Sequence, residues 1–198
     1  MNVRVRPIKL DEIEKIASFI AGGYEEDVFF KWCVNHDDNQ HQIVTEYYKI
    51  YLGAKGCVAH VAEDETGEVV GATVWLPHDV DESIYDDINK VVAAHADHFQ
   101  EVADKSHANE PTDTPFYQLV AVVTKKEFQG QGIGGALLKH HLDQLDERGI
   151  PTYLEASTPY YGGGVYGKFG YRYFGVLMKF AEGIILYPLY RPAGGYTL

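Results

Sequence analysis

Four glycines in six residues, Gly130-Gln131-Gly132-Ile133-Gly134-Gly135, form the densest chemical signal in the chain. They follow an apolar run, FYQLVAVV at 116–123, across a polar gap at 124–129, and they open a stretch with helical rhythm. The first amides of a helix have no partner inside it, and the helix dipole gives them partial positive charge. Glycines let an anion reach that backbone because no Cβ stands in the way, so a diphosphate is the natural guest. Two readings of the same letters stay open. Gly130, Gly132 and Gly135 satisfy G-x-G-x-x-G, and Glu155 lies 20 residues beyond Gly135, as in a nicotinamide-dinucleotide site. Against that reading, a charged gap separates the strand from the first glycine, and too little chain follows Gly135 for the rest of such a fold. The other cut is Gln129-x-x-Gly132-x-Gly134. No Gly-Lys-Ser/Thr follows the turn, which removes the Walker A loop from consideration.

Other reactive residues read more simply. His95 and His98 stand one helical turn apart near Asp97 and Glu101, but no third ligand accompanies them, so we read a solvated helix face and predict no metal. His140 and His141 are sequence neighbours on a helix and do not face each other, so they are no chelating pair. Ser157 lacks a G-x-S-x-G setting. Cys33 and Cys57 allow one bridge at most, which points to a reducing, cytoplasmic setting.

These residues need elements to hold them. Residues 2–6 alternate as a short strand does. Leu10, Ile13, Ala17 and Ile20 then recur at helical spacing up to Gly22-Gly23, with Asp11 and Glu14 resembling a capping box. A second helix is predicted over 42–52, and two strands at 57–62 and 68–76 flank a turn at Asp64 and Gly67. Between Asp79 and Asp113, ten acidic residues face two lysines, a net −8 of the chain's −12. Ile84, Ile88, Val91 and Val92 keep a helical rhythm there. After the 116–123 strand and the glycine turn, Ile133, Leu137, Leu138, Leu142 and Leu145 mark the inner side of a helix that ends at Gly149 and Pro151. A strand at 152–156, a partly helical segment at 160–169, and strands at 171–180 and 184–190 complete the chain.

The strand–helix–strand unit at 116–156 implies a parallel pair, and the hairpins around it make the sheet mixed. The predicted fold class is α/β (α+β): one mixed, mostly antiparallel sheet around a central parallel β-α-β unit. A chain of 198 residues suits a single domain, 1–198, with the acidic stretch 79–113 as a helical insertion. The negative balance speaks against nucleic acid. The absence of an 18-residue apolar run, and of a signal-like start, speaks against a membrane or secreted protein.

The second cut of the glycine turn carries a resemblance. LVAVVTKKEFQGQGIGGALL, then YLEAS at 153–157, then Tyr166-Gly167-Lys168-Phe169-Gly170-Tyr171, resembles the GNAT superfamily of N-acetyltransferases, as does Trp75-Leu76-Pro77. The match is sharp over 116–175 and general over 1–76. It implies an acyl-CoA N-acyltransferase-like fold, acetyl-CoA as cofactor with CoA as product, and direct acetyl transfer to a small-molecule or peptide amine. The acidic balance suits a cationic acceptor. By the same resemblance, the backbone of Val122, Val123 and Thr124 holds the pantetheine arm. The amides of Gln129, Gly130, Gln131, Gly132, Ile133, Gly134 and Gly135 cradle the pyrophosphate. Lys125, Lys126 and Lys139 add local positive potential. Tyr166 falls at the general-acid position, and Glu155 at a proposed base position. Gln118 stands where another branch has a glutamate, and residues 157–164 depart from the family's pattern. These departures leave a non-catalytic acyl-CoA-binding module as the alternative, with the dinucleotide protein behind it.

Overall fold

The computed structural model describes residues 2–157 and 164–196. In chain order the elements are β1 (Arg4–Pro7), α1 (Ile13–Gly23), α2 (Val28–Cys33), α3 (Gln40–Gly53), β2 (Val58–Glu63), β3 (Val69–Pro77), α4 (Ser83–Val91) and α5 (Ala96–His107). Then follow β4 (Tyr117–Thr124), α6 (Ile133–Glu147), β5 (Thr152–Ala156), α7 (Val165–Lys168), β6 (Arg172–Tyr173), β7 (Met178–Lys179) and β8 (Ile185–Arg191).

The sheet runs β1-β2-β3-β4-β5-β8-β6, with β7 pairing further along β8. Every neighbouring pair is antiparallel except β4 and β5. This is the mixed, mostly antiparallel sheet that the hairpins and the 116–156 unit predict. A dinucleotide fold needs a parallel sheet around its glycine turn. Here β4 is antiparallel to β3 on one side, so that reading is set aside.

Helix α6 covers one face. Its leucines and Ile133 are buried as their spacing predicts. Leu138 and Leu142 pack on Trp75, Leu119 and Leu154, while Ile133 and Leu137 pack on Ala62 and Val70. Each such side chain contributes roughly 1.5–3 kcal/mol by leaving water. The helix ends where Gly149 turns left-handed at φ 69° and Ile150 donates back to the Leu145 carbonyl. On the opposite face, Ile16 and Ile20 of α1 and Tyr48 of α3 pack against Val61, Val74, Ala121 and Val123.

The acidic stretch folds as α4 and α5 on that second face. Ile84 and Ile88 of α4 pack against Leu76 of β3 and against α3. Phe99 and Val102 of α5 join Trp32, Met178 and Phe180. The expectation of a solvated histidine face fails here. The His98 ring stacks on Trp32 at 4.2 Å and its Nδ1 lies 2.7 Å from the Trp32 carbonyl. The His95 side chain is 8% exposed and sits 3.4 Å from Asp37. Local pattern cannot see an indole that lies in another helix.

Two other expectations shift. The cap at the first helix belongs to Glu12, which accepts the Lys9 amide at 2.9 Å, and not to Asp11 and Glu14. A 3-10 turn, Leu10–Glu12, moves the start of the helix proper to Ile13. Helix α2 follows α1 after a short turn. Asp27 caps it by accepting the Phe30 amide at 3.0 Å.

Candidate active site

The parallel pairing of β4 and β5 covers only Tyr117–Leu119 against Thr152–Leu154. Beyond Leu119 the two strands part. The same point carries a bulge: Val74 pairs Ala121 and Trp75 pairs Leu119, so Val120 has no opposite number in β3. The Val120 carbonyl instead accepts the Tyr48 hydroxyl at 3.2 Å. Lys125 donates to Val70, which sets the alternation of the β3–β4 ladder. By that alternation the amides of Val122 and Thr124 point away from β3, along the edge that β5 has left. The Val123 amide faces β3, so of the three residues named for the pantetheine arm only Val122 and Thr124 turn a donor outward.

The glycine turn lies beside this edge. Gly130 and Gly132 take φ of 77° and 84°, backbone that favours glycine, and a Cβ built on either meets nothing within 4 Å. The first helical bond of α6 runs from Ala136 to Gly132. The amides of Gly130 through Gly135 therefore donate to no acceptor among the described residues. Gln129 differs, since its amide reaches Lys126 and its side chain holds the Thr124 carbonyl at 3.2 Å. A Cβ on Gly134 would stand 3.6 Å from the Thr124 hydroxyl, and one on Gly135 3.6 Å from the Phe169 ring. The open β4 edge, the start of α6 and the segment after α7 thus lie side by side. Six unspent amides at the positive end of a 15-residue helix suit a diphosphate such as that of coenzyme A, and the outward amides of Val122 and Thr124 suit an extended arm that carries carbonyls.

The lysines contribute less than the sequence suggests. Lys125 pairs with Glu68 and Glu127, and Lys139 with Asp143. Lys126 is exposed and makes no ion pair among the described residues.

Tyr166 is 7% exposed and packs with Leu138, Leu142 and Tyr171 on the α6 face. Glu155 is on the other face. It is the first β5 residue beyond the last β4 pair, and its neighbours Leu154 and Ala156 both belong to the core under α6. Its carboxylate accepts the Tyr153 hydroxyl at 3.0 Å and the Ser106 hydroxyl at 2.9 Å. Burial pushes this carboxyl up to about 7, against the lowering effect of both hydrogen bonds. Gln118, opposite Tyr153, shares its face. Tyr153 was legible in principle, because residues i and i+2 of a strand share a face. Ser106 was not, since 49 residues separate it from Glu155.

At the end of β5, Ser157 donates to Asp27 at 3.2 Å. Next to it opens a cavity of about 450 Å³, walled by Val28, Ile184, Ile185 and Tyr187 and edged by Lys31 and Glu182. His36 reaches Glu182 at 3.2 Å. Among the described residues, the non-glycine positions with positive φ are Asn35, His36 and Glu182, and the last two line this cavity. Backbone in that region is held against its preference, as at ligand-binding sites. The segment 158–163, which carries most of the departure from the family pattern, lies outside the described residues.

The Acetyltransferase (GNAT) family model matches residues 25–171. No curated protein matches the sequence significantly. Among solved structures, the chain is similar to histone acetyltransferase HPA2 and related acetyltransferase from Corynebacterium glutamicum, at 19% identity, 100% coverage of both chains and a TM-score of 0.72. Arylalkylamine N-acetyltransferase 2 from Aedes aegypti matches at 12% identity, 98% and 100% coverage and a TM-score of 0.71. The NatC complex bound to Gag peptide and CoA matches at 12% identity, 97% and 99% coverage and a TM-score of 0.55. No helix among the described residues is long and apolar enough to cross a membrane.

Proposed function

Since the chain belongs to the GNAT acetyltransferase family and is an acyltransferase, we propose that it passes the acetyl group of acetyl-CoA directly to a small-molecule or peptide amine. The single observation that carries this reading is the run of unspent amides from Gly130 to Gly135 beside the open edge of β4. Bound there, acetyl-CoA supplies an activated thioester carbonyl. The amides of Val122 and Thr124 hold the pantetheine arm as an added strand would be held, and the α6 amides hold the diphosphate.

The residues then divide the proton work. An acceptor ammonium must lose a proton before its nitrogen can attack, and Glu155 takes that proton on the face opposite α6. A carboxyl titrating at about 7 is well matched to this task near neutral pH. Tyr166, on the α6 face, gives its phenolic proton to the departing thiolate. The neutral nitrogen bonds to the carbonyl carbon and the carbon–sulfur bond breaks. The nitrogen then gives its second proton to the Tyr166 phenolate, so the ammonium loses two protons in all, one to Glu155 and one that replaces the proton Tyr166 gave to sulfur. The acceptor enters by the cavity between α2 and the turn before β8, whose edge carries Lys31 and the His36–Glu182 pair, and the chain's net negative charge suits a cationic acceptor. The acidic stretch 79–113 is a helical insertion into one acetyltransferase domain, 1–198. The two free cysteines support a cytoplasmic setting.

The test is thiol release from acetyl-CoA across a panel of primary amines and peptide N-termini, with mass spectrometry of the product. Acceptor-dependent release with an acetylated amine is the expected result. Coenzyme A binding without release from any amine would favour a non-catalytic acyl-CoA-binding module.

A further inference from the structure

Helix α5 docks firmly at a point where it touches Glu155. Its His98 stacks on Trp32 of α2, and Phe99 and Val102 enter the core beside Phe180. Lys105 reaches the Lys179 carbonyl of β7 at 2.5 Å, and Asn109 accepts the Val176 amide at 2.7 Å. These contacts fix the helix on two sides. They also aim one hydroxyl, Ser106, at the Oε2 of Glu155, while Tyr153 occupies Oε1.

We propose that Ser106 is a positioning residue for Glu155: the acidic segment places its hydroxyl so that the carboxylate is held in one rotamer with its ionised form favoured. This rests on the reading of Glu155 as the base. Each hydroxyl hydrogen bond favours the ionised form and works against the desolvation that β5 and its covering elements impose. The other groups around the carboxyl act in the opposite sense or are neutral. Glu110, just beyond α5, repels the carboxylate. Tyr51 of α3 interacts with both Glu155 and Glu110, and Tyr85 of α4 interacts with Glu110; these tyrosines and Tyr153 are neutral phenols whose titration is pushed further up. Lys105 of α5 is paired with Glu101, and Asp27, beside α2, is bound to Ser157. Gln118 of β4 carries no charge. Among the described residues no cation pairs with Glu155, so its two hydroxyl donors are what offsets the desolvation of its ionised form.

The experiment compares wild type, Ser106→Ala, Ser106→Thr and Glu155→Gln. The Glu155 carboxyl is titrated by carbon-13 NMR in the free enzyme, and kcat/KM is followed from pH 5.5 to 9 with the best acceptor found. Loss of one hydroxyl donor to a buried carboxylate raises its titration midpoint by about one pH unit. Ser106→Ala should therefore move both the NMR midpoint and the acidic limb of the profile up by about that much. On that limb kcat/KM should fall about tenfold, with recovery at high pH and KM for acetyl-CoA unchanged. Ser106→Thr, which keeps the hydroxyl, should restore the wild-type curve. An NMR midpoint that does not move in Ser106→Ala overturns the proposal. A Glu155→Gln enzyme with wild-type rates would instead remove the base itself, and the catalytic meaning of Ser106 with it, even if the NMR midpoint had shifted.

Discussion

Gly132→Ala separates the cost of a left-handed backbone from the cost of losing an anion site. Gly132 caps α6 at φ 84°, and a Cβ there meets no atom of the protein within 4 Å. In the free protein the substitution therefore costs only the left-handed strain of an L-residue, roughly 1–2 kcal/mol. For a chain of this length, that lowers Tm by about 2–4 °C per kcal/mol. On the proposed reading, the empty space around Gly132 is also where the diphosphate approaches the α6 amides. A methyl group there displaces the anion from at least one amide, and a hydrogen bond to a charged group is worth roughly 1.5–3 kcal/mol. Coenzyme A affinity should fall by about 10- to 150-fold. Gly149→Ala is the matched control, because Gly149 has φ 69° and equal room but sits at the far end of the same helix. It should show a similar drop in Tm and a dissociation constant within about twofold of wild type. Calorimetric titration with coenzyme A, alongside thermal melts of all three proteins, reads both effects. If the two variants bind coenzyme A alike, the α6 amides are not the diphosphate site.

Two further outcomes follow from buried groups. Tyr166→Phe keeps the ring against Leu138 and Leu142 and should lower kcat by roughly 10²- to 10⁴-fold with coenzyme A binding intact; an unchanged kcat in steady-state assays would assign sulfur's proton to another donor. His60 and His141 are pushed down to about 4 by burial, so the folded protein binds fewer protons than the unfolded chain between that value and the ordinary imidazole range. Their stabilisation is complete above about pH 6.5 and is lost as pH falls towards 4, each at about 1.4 kcal/mol per pH unit. Glu155, pushed up to about 7, works in the opposite sense over the same window and cancels one of them. His141→Leu, which also removes two buried nitrogens without partners among the described residues, should leave stability from urea melts nearly flat between pH 5 and 6.5. A slope as steep as that of wild type contradicts the assignment.

What was legible in the sequence is what depends on neighbours along the chain. The inner face of α6 follows from helical spacing, the end of the helix from Gly149 and Pro151, and the hairpin of β2 and β3 from Asp64 and Gly67. All three stand in the structure as the residues predict. The amides at the glycine turn also follow locally, because a helix start always leaves them unpaired. Val123 shows the limit of such reading. Its inclusion with Val122 and Thr124 ignores the ladder, and which amides of β4 face outward is decided by the register with β3 and by the bulge at Val120.

The acidic stretch shows the same limit at larger scale. Its composition suggests a solvated surface, and its charge does lie outward: Asp86, Asp87 and Asp104 are exposed. Yet the few apolar and ring residues between those charges decide where α4 and α5 dock, and docking decides what Ser106 and Glu110 do to Glu155. A single hydroxyl and a single carboxylate, brought within reach of β5 by contacts with Trp32 and Phe180, act on the same proton affinity in opposite directions. Lengthening or shortening α5 by one residue would turn Ser106 by about 100° around the helix and leave the Glu155 carboxylate with one donor. On the proposed reading, the length of this segment answers to a carboxylate on a strand 49 residues away as well as to the surface it covers.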